Sequence, residues 1–425
     1  MPHAAIRPSL THRRDRRGPV TRRIAVIGAG AAGTMAAIFA AQSGAETFLL
    51  ERTRDGGRKI LISGGGRCNV LPARVDESRF VTDSSPNTLR KIVRGWPLAE
   101  QIAFFEHELG IPLVEETESV KLFPASHRAR DVRDGLLEHA VRHGALVHMH
   151  TVVTDWAPTT TGWRVTRDAA EPLDVDAVIV ATGGLSVPNT GSDGTGLRVL
   201  ERLGHTMHPT YAALTPLTAE PAPFGSLSGV SLPVTLTART EGRSATATGG
   251  FLFTHHGYSG PSVLDVSHVA VRSRADLHAA RVAVRWTALG DDEIEWLLRA
   301  QGTRTVLGAV RSLVPDRLAS LLLQQAGVEP TRSLADLPRD ERRRLLDVLL
   351  RGDLPWTGDE GYRKAEVTGG GVSLAEIDPR TMESRRHSGL FLCGEVLDAF
   401  GPIGGYNFLW AWATGRAAGL GAARP

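Results

Sequence analysis

Residues 23–51 constrain this chain more than any other stretch. An apolar run, Ile24-Ala25-Val26-Ile27, leads into Gly28-Ala29-Gly30-Ala31-Ala32-Gly33. Small residues follow to about Gly44, a second apolar run covers 47–50, and the stretch ends on Glu51. Strand, Gly-x-Gly-x-x-Gly, helix, strand and acid form the order that a dinucleotide site requires. Gly28 allows the tight turn, Gly30 lets the backbone approach a pyrophosphate, and Gly33 lets helix and strand pack closely. The first-turn amides, those of Ala31 and Ala32 included, then face the phosphates together with the helix dipole. Glu51 can take the ribose hydroxyls, and an acid at this place argues against a 2′-phosphate. FAD and NAD both satisfy this stretch.

Two later stretches bear on the same site. After Glu51 the chain reads RTRDGGRKILISGGGRCN, with Gly64, Gly65 and Gly66 in succession, too glycine-rich for a strand or helix interior. It is expected to wrap a cofactor, with the backbone of Gly65 and Gly66 close to the ligand and Arg52, Arg58, Lys59 and Arg67 near its phosphates. A buried strand over 176–180 then ends in Ala181, Thr182, Gly183 and Gly184, where the chain is expected to return to the cofactor. The last segment, GLFLCGEVLDAFGPIGGYNFLWAWATGRAAG, repeats the logic: a strand, Gly394-Glu395, a Gly/Pro loop, and a helix starting at Gly405, Tyr406 and Asn407. The acid or a backbone amide can reach a ribityl chain, and the helix start points its dipole at a flavin ring. An NAD-only enzyme has no need of this second contact, so FAD is the expected cofactor.

Composition narrows the remaining classes. The 425 residues leave room for two or three domains. Apolar content of 42% with 22% charged residues is ordinary for a soluble globular protein. Cys68 and Cys393 are the only cysteines, too few for a disulfide framework, and no apolar run reaches the length of a membrane span. The arginine-rich start followed by residues 24–45 imitates a signal peptide. Cleaving that apolar segment would destroy the nucleotide turn, so the expected location is the cytoplasm. Residues 1–23 carry seven arginines and one acid, a formal +6 that leaves −3 on the rest of a chain whose net charge is +3. The basic character thus sits in a tail expected to be disordered over 1–20. RNA contact, if any, would come through that tail, and a basic excess on the body is absent. His139, His143, His148 and His150 lack partners at metal-ligand spacing, so no metal site is expected.

Composition also shifts along the chain. Residues 212–290 are rich in Thr, Val, Pro and Gly with strand-like runs, residues 291–350 read as helices broken at Gly302, Pro315, Gly327 and Pro338, and β-like sequence returns after Pro355.

With these elements placed, the chain resembles the BaiN/YhiN-like flavoproteins, also called the aminoacetone-oxidase family. The matching residues are GRKILISGGGRCN (57–69), ATGGLSVPNTGSDGTG (181–196), FLFTHHGYSGPSVLDVS (251–267), EVTGGGVSLAEIDPRTMESR (366–385) and the segment 389–415. The resemblance implies an α/β fold with a glutathione-reductase-type FAD-binding Rossmann domain split in sequence, over 21–205 and 385–425. A β domain (206–290 and 353–384) and a helical domain (291–352) would be inserted into it. It further implies an FAD-dependent oxidoreductase that exchanges hydride at the flavin. The leading expectation is an NAD(P)H-fed reductase of a conjugated C=C bond in a small-molecule substrate, with no membrane partner. NAD(P)H would visit transiently, since no second nucleotide motif stands in a strand–helix–acid context. An amine oxidase of the aminoacetone type, releasing peroxide, and an rRNA dihydrouridine synthase are the alternatives. Reduction of an enone needs a proton donor, for which Cys68, His255 and Tyr258 are the candidates, with His256 and Tyr406 behind them. Cys68, beside Arg67 and among glycines, has two readings of equal weight, a thiolate or a small residue packed near the flavin.

Overall fold

The computed structural model describes residues 21–117, 119–275, 278–299 and 302–424, so the expected disordered tail, 1–20, lies outside the described residues. The apolar runs at both ends of the sequence come together in one parallel sheet. Its strands are, in spatial order, Leu390–Leu392, Ala177–Val180, Arg23–Ile27, Glu46–Leu50 and Leu146–His148. Strands covered on both faces read as unbroken apolar stretches, which is why these were visible in the sequence. Ile27 pairs with both Val180 and Leu50, so the carboxyl ends of the central strands share one edge. Ligands bind at that edge in open α/β sheets.

Helix Ala31–Gln42 and the C-terminal helix Tyr406–Ala422 are apolar almost all round, and helices of that kind must be buried. They pack at backbone distance. A Cβ on Gly415 would lie 2.3 Å from the Ala32 carbonyl oxygen, and one on Gly419 2.3 Å from that of Ala36. The glycines that weaken the second helix in isolation are therefore what allows the contact. Strands Val153–Pro158, Trp163–Arg167 and Ala170–Val175 form a small antiparallel sheet that adds Trp156 and Trp163 to the same core.

The chain leaves this body along Met207–Ala213 and returns along Val367–Val372, and the two crossings pair antiparallel as a ribbon. Between them lies a second core. Seven antiparallel strands drawn from 217–359 form its sheet, with Ser231–Arg239 paired along its full length to Ser244–Thr254. Phe251, Phe253, Tyr258 and Trp286 pack together there. Helices Val306–Val310, Asp316–Ala326 and Arg339–Arg351 bury Val306, Leu318, Leu322, Leu345 and Leu349 in that core as well. The stretch expected as a separate helical domain thus shares one core with the sheet, because its amphipathic faces need a partner and the sheet supplies it. On the return, Val372, Leu374, Ile377 and Met382 pack in the first core, ahead of the expected boundary at 385. Composition tracks the type of element, not the core it joins. Among the described residues no helix is long and apolar enough to cross a membrane.

Candidate functional site

The glycine turn sits at the carboxyl edge of the sheet, and each of its glycines has a distinct reason to be there. Gly28 has φ +101°, its N–H donates to the Leu50 carbonyl at 2.8 Å, and a Cβ on it would lie 2.6 Å from the Ala181 oxygen. A Cβ on Gly33 would lie 1.8 Å from the Gly28 oxygen, so helix and strand meet there at backbone contact. Gly30 differs: nothing stands within 4 Å of where its Cβ would be. That space is a cavity, lined by Gly28, Gly30, Ala31 and Ala32 on this side.

Glu51 is nearly buried, and its two carboxylate oxygens accept from the Ala29 and Thr53 amides at 2.7 and 2.8 Å. The acid therefore clamps the turn to the end of the second strand while lining the cavity, and each oxygen keeps a further lone pair. Nearby cations are balanced by acids. Arg52 pairs with Asp193 at 2.5 Å and Arg58 with Asp55 at 2.8 Å. The hydrogen bond from Arg58 is the main cause holding Asp55 below its ordinary range. Burial pushes Asp193 up, but Arg52 and the Thr195 amide outweigh it and the net shift is downward.

A second cluster closes another wall. The Lys59 ammonium donates to Ser186 Oγ and Glu395 Oε2, both at 2.6 Å, and Glu395 Oε1 accepts from Ser186 Oγ at 2.7 Å and the Thr368 amide at 3.0 Å. Burial raises the Glu395 carboxyl, yet Lys59 and these hydrogen bonds prevail and hold it below the ordinary carboxylate range. Four segments far apart in sequence are thereby tied together. Ala181, Thr182 and Gly183 line the cavity beside them, as does Gly394, whose N–H donates to Thr414 Oγ1 at 3.0 Å.

The far end is the 400–405 loop, with Phe400, Ile403, Gly404 and Gly405 on the cavity. Asn407 accepts from the Gly401 amide and donates to its carbonyl, at 2.9 and 3.0 Å. Asp265, from helix Pro261–Ser273 of the second body, accepts from the Ile403 amide at 2.7 Å. The C-terminal helix starts from Gly405, so two helix N-termini open on one cavity.

Not every expected residue arrives there. Gly33 is packed inside the turn, and Gly65 and Gly66 do not line the cavity, although Ser63 of the same turn does. Arg67 pairs with Glu116 at 2.8 Å and stacks over Phe123, its charge already engaged. Tyr406 points instead toward residue 76, its hydroxyl accepting from the Asp76 amide at 3.1 Å, while its neighbours Gly405 and Asn407 line the cavity.

The three proton-donor candidates also stand outside it. Cys68 is fully buried, and burial pushes its thiol up to about 12 against a small opposing contact from Ser63; this is a packed thiol, not a thiolate. Tyr258 is buried in the aromatic cluster of the second body, donates to the Pro355 carbonyl at 2.9 Å, and has its phenol raised by burial. His255 and His256 form the exposed two-residue tip between Thr254 and Gly257. Sequence reasoning missed Asp193 and Glu366, which do line the cavity. Each is the one acid beside a glycine run, TGSDGTG and EVTGGG, a signal that was open to reading.

A cavity with an open glycine cradle, an amide-clamped acid and two helix N-termini suits a long, phosphate-bearing cofactor. Comparison with known proteins agrees. The family described as HI0933-like protein Rossmann domain matches residues 22–421. The chain is 31% identical over 398 residues to a ribosomal RNA dihydrouridine synthase of Escherichia coli (strain K12), covering 92% of this chain and 95% of that protein. It is also 31% identical over 413 residues to a 3-dehydro-bile acid delta(4,6)-reductase of Clostridium scindens, covering 94% and 99%. The chain belongs to the HI0933-like family and is an FAD-dependent oxidoreductase.

Proposed function

We propose that this protein reduces a C=C bond conjugated to a carbonyl, drawing its electrons from NAD(P)H through bound FAD. The observation that carries the reading is the convergence of both helix N-termini and the open Gly30 cradle on one cavity whose far end meets the second body. Gly30 and the first-turn amides would hold the pyrophosphate, Glu51 the ribose, the Gly394–Glu395 turn the ribityl chain, and the start of the C-terminal helix the flavin ring. When bound, FAD supplies the hydride chemistry. The chain's own residues position it and exclude water.

The names of the two relatives share one kind of reaction. A 3-keto-delta(4,6) steroid and a uracil ring both present a C=C bond conjugated to a carbonyl, and both products are saturated there. Uridine in RNA is the second reading, favoured by equal identity to the dihydrouridine synthase and to a like-named protein of Haemophilus influenzae, also 31% identical. An acceptor screen decides. The purified yellow protein is reduced anaerobically with NADH or NADPH and then mixed with a 4,6-dien-3-one or with unmodified rRNA fragments. Reoxidation of the flavin by the dienone supports the first reading, and dihydrouridine in the RNA supports the second. If neither acceptor reoxidises the flavin and an amine with oxygen yields peroxide instead, the reductase reading falls.

A further inference from the structure

The titratable side chains on the cavity are, with one exception, already engaged. Glu51 holds two amides, Asp193 pairs with Arg52, Arg58 pairs with Asp55, and Lys59 pairs with Glu395. Cys393 is fully buried at the end of its strand, and burial raises its thiol. Glu366 is the exception. Its backbone is fixed: the N–H donates to the Leu214 carbonyl at 3.1 Å, and the carbonyl accepts from Ser186 Oγ at 3.3 Å. Its carboxylate lines the cavity and, among the described residues, accepts no hydrogen bond and joins no ion pair.

The position is specific. The adjacent Val367 packs with Leu214 and Phe400, and Ile403 packs against that small cluster, where the ribbon between the two bodies meets the 400–405 loop. Phe400 and Ile403 line the same cavity as Glu366. The carboxylate thus belongs to the loop end, near the start of the C-terminal helix, and not to the phosphate end at Gly28–Gly33. An acid with no protein partner in a cleft between bodies is free to hold a proton for a ligand.

We propose that Glu366 is the proton donor of the reaction, delivering its carboxyl proton to the substrate carbon next to the carbonyl. The proposal rests on the reductase reading above. Saturating the double bond adds one hydride and one proton, and bound FAD would supply the hydride, to the carbon remote from the carbonyl. The Glu366 Oε–H bond breaks as the second C–H bond forms, and the carboxylate left behind regains a proton from water. The surroundings suit the role. Glu366 is exposed along the open cavity, but protein surrounds its carboxyl, and that desolvation is the main cause raising it above its ordinary range, which the facing cations Lys59 and Lys121 only partly oppose. Glu395 stands behind Lys59, and Asp265 lies across the loop at Ile403. A raised carboxyl stays protonated further toward neutral pH, where a general acid is needed. The donor is active below its folded pKa and is lost as pH rises through it.

The test uses the FAD-loaded protein, with E366Q, E366D and D265N. Infrared difference spectra between low and high pH, taken without turnover, should show two protonated-carboxyl bands that titrate above the ordinary carboxylate range, one lost in E366Q and kept in D265N, the other, from Asp265, lost in D265N and kept in E366Q. An E366Q spectrum that keeps every raised band, or a D265N spectrum that keeps none, overturns the assignment whatever the substrate. In turnover with the dienone, E366Q should lose about 100-fold or more in kcat, with KM, flavin content and thermal midpoint unchanged, while E366D recovers part of the rate. E366Q turning over within threefold of wild type, with the same pH profile, sinks Glu366 alone. Wild-type protein that reduces no C=C acceptor sinks the reductase reading, and the infrared result still judges the carboxyl separately.

Discussion

Helix Ala31–Gln42 and helix Tyr406–Ala422 both start from a glycine on the cavity, but the two starts are assembled differently. The first is local. Gly28 bonds to Leu50, Glu51 bonds to Ala29, and both bonds lie within one short stretch of chain. The second draws its fixings from across the sequence: Asn407 on Gly401, Asp265 of the second body on Ile403, and Glu395 held by Lys59 from near the beginning of the chain. The local start depends on backbone contacts that no other body can disturb. The assembled start depends on how the second body sits, so the 400–405 end of the cavity is coupled to that body while the Gly28–Gly33 end is not.

The largest effects should come from the local start, and they should separate fold from ligand. Gly33→Ala puts a Cβ 1.8 Å from a backbone oxygen, with nothing flexible to give way. It should cost at least about 3 kcal/mol and leave little folded protein by calorimetry. Gly30→Ala meets nothing within 4 Å and has an ordinary φ of −80°. Its FAD-free form should lose under about 1 kcal/mol, while FAD content falls at least about tenfold because the Cβ fills the space a phosphate would take. Equal thermal losses in the two variants would erase the distinction between a packing glycine and a cradle glycine.

The assembled start should respond to pH. Burial is the main cause raising Asp265 from 3.8 to about 6, opposed by the Ile403 amide, Arg79 and Lys121. Its folded pKa lies above its unfolded one. The stability it contributes is therefore fully present below about pH 4 and is lost as pH rises through about 6, in total on the order of 3 kcal/mol. Asp265→Asn keeps an acceptor for the Ile403 amide and removes the charge. Denaturant titrations from pH 4 to 8 should show a flatter stability profile for the variant and a gain at pH 8. Parallel profiles would mean that Asp265 is not strained in its charged form, and the coupling of the loop to the second body would lose its electrostatic part.

The same contrast explains what could be read from the sequence. The nucleotide turn, Glu51 and the strand at 177–180 were legible because their physics is local: period, glycine spacing and an acid within reach. The FAD assignment came from seeing a second strand–turn–helix at 390–407, again local. Lys59 and Glu395 were each placed at the cofactor, but their ion pair spans most of the chain and leaves no mark in either segment. The sequence leaves Cys68 between two readings for a related reason. Neighbouring glycines and Arg67 suggested an open, cationic setting, whereas Arg67 turns to Glu116 and Phe123 and the thiol faces inward. Glu366 stands beside a glycine run that could have placed it at the cavity, but its lack of a partner leaves no mark in the sequence.

The two thiols offer the mildest probe of the comparison, since each belongs to one side of it. Cys68 closes the glycine loop that follows the first start, and Cys393 ends the strand that precedes the second. Both are fully buried, and burial raises both thiols, so neither should react with a thiol reagent in the native protein, while both should react after denaturation. Slow labelling under native conditions then reports local opening. Cys393 lines the cavity and Cys68 does not, so added FAD should slow labelling of Cys393 several-fold and leave Cys68 little changed, as read by mass spectrometry of the labelled peptides. Equal protection of both would mean that the two starts open as one unit. The local start would then share the dependence on the second body that the packing assigns to the assembled one.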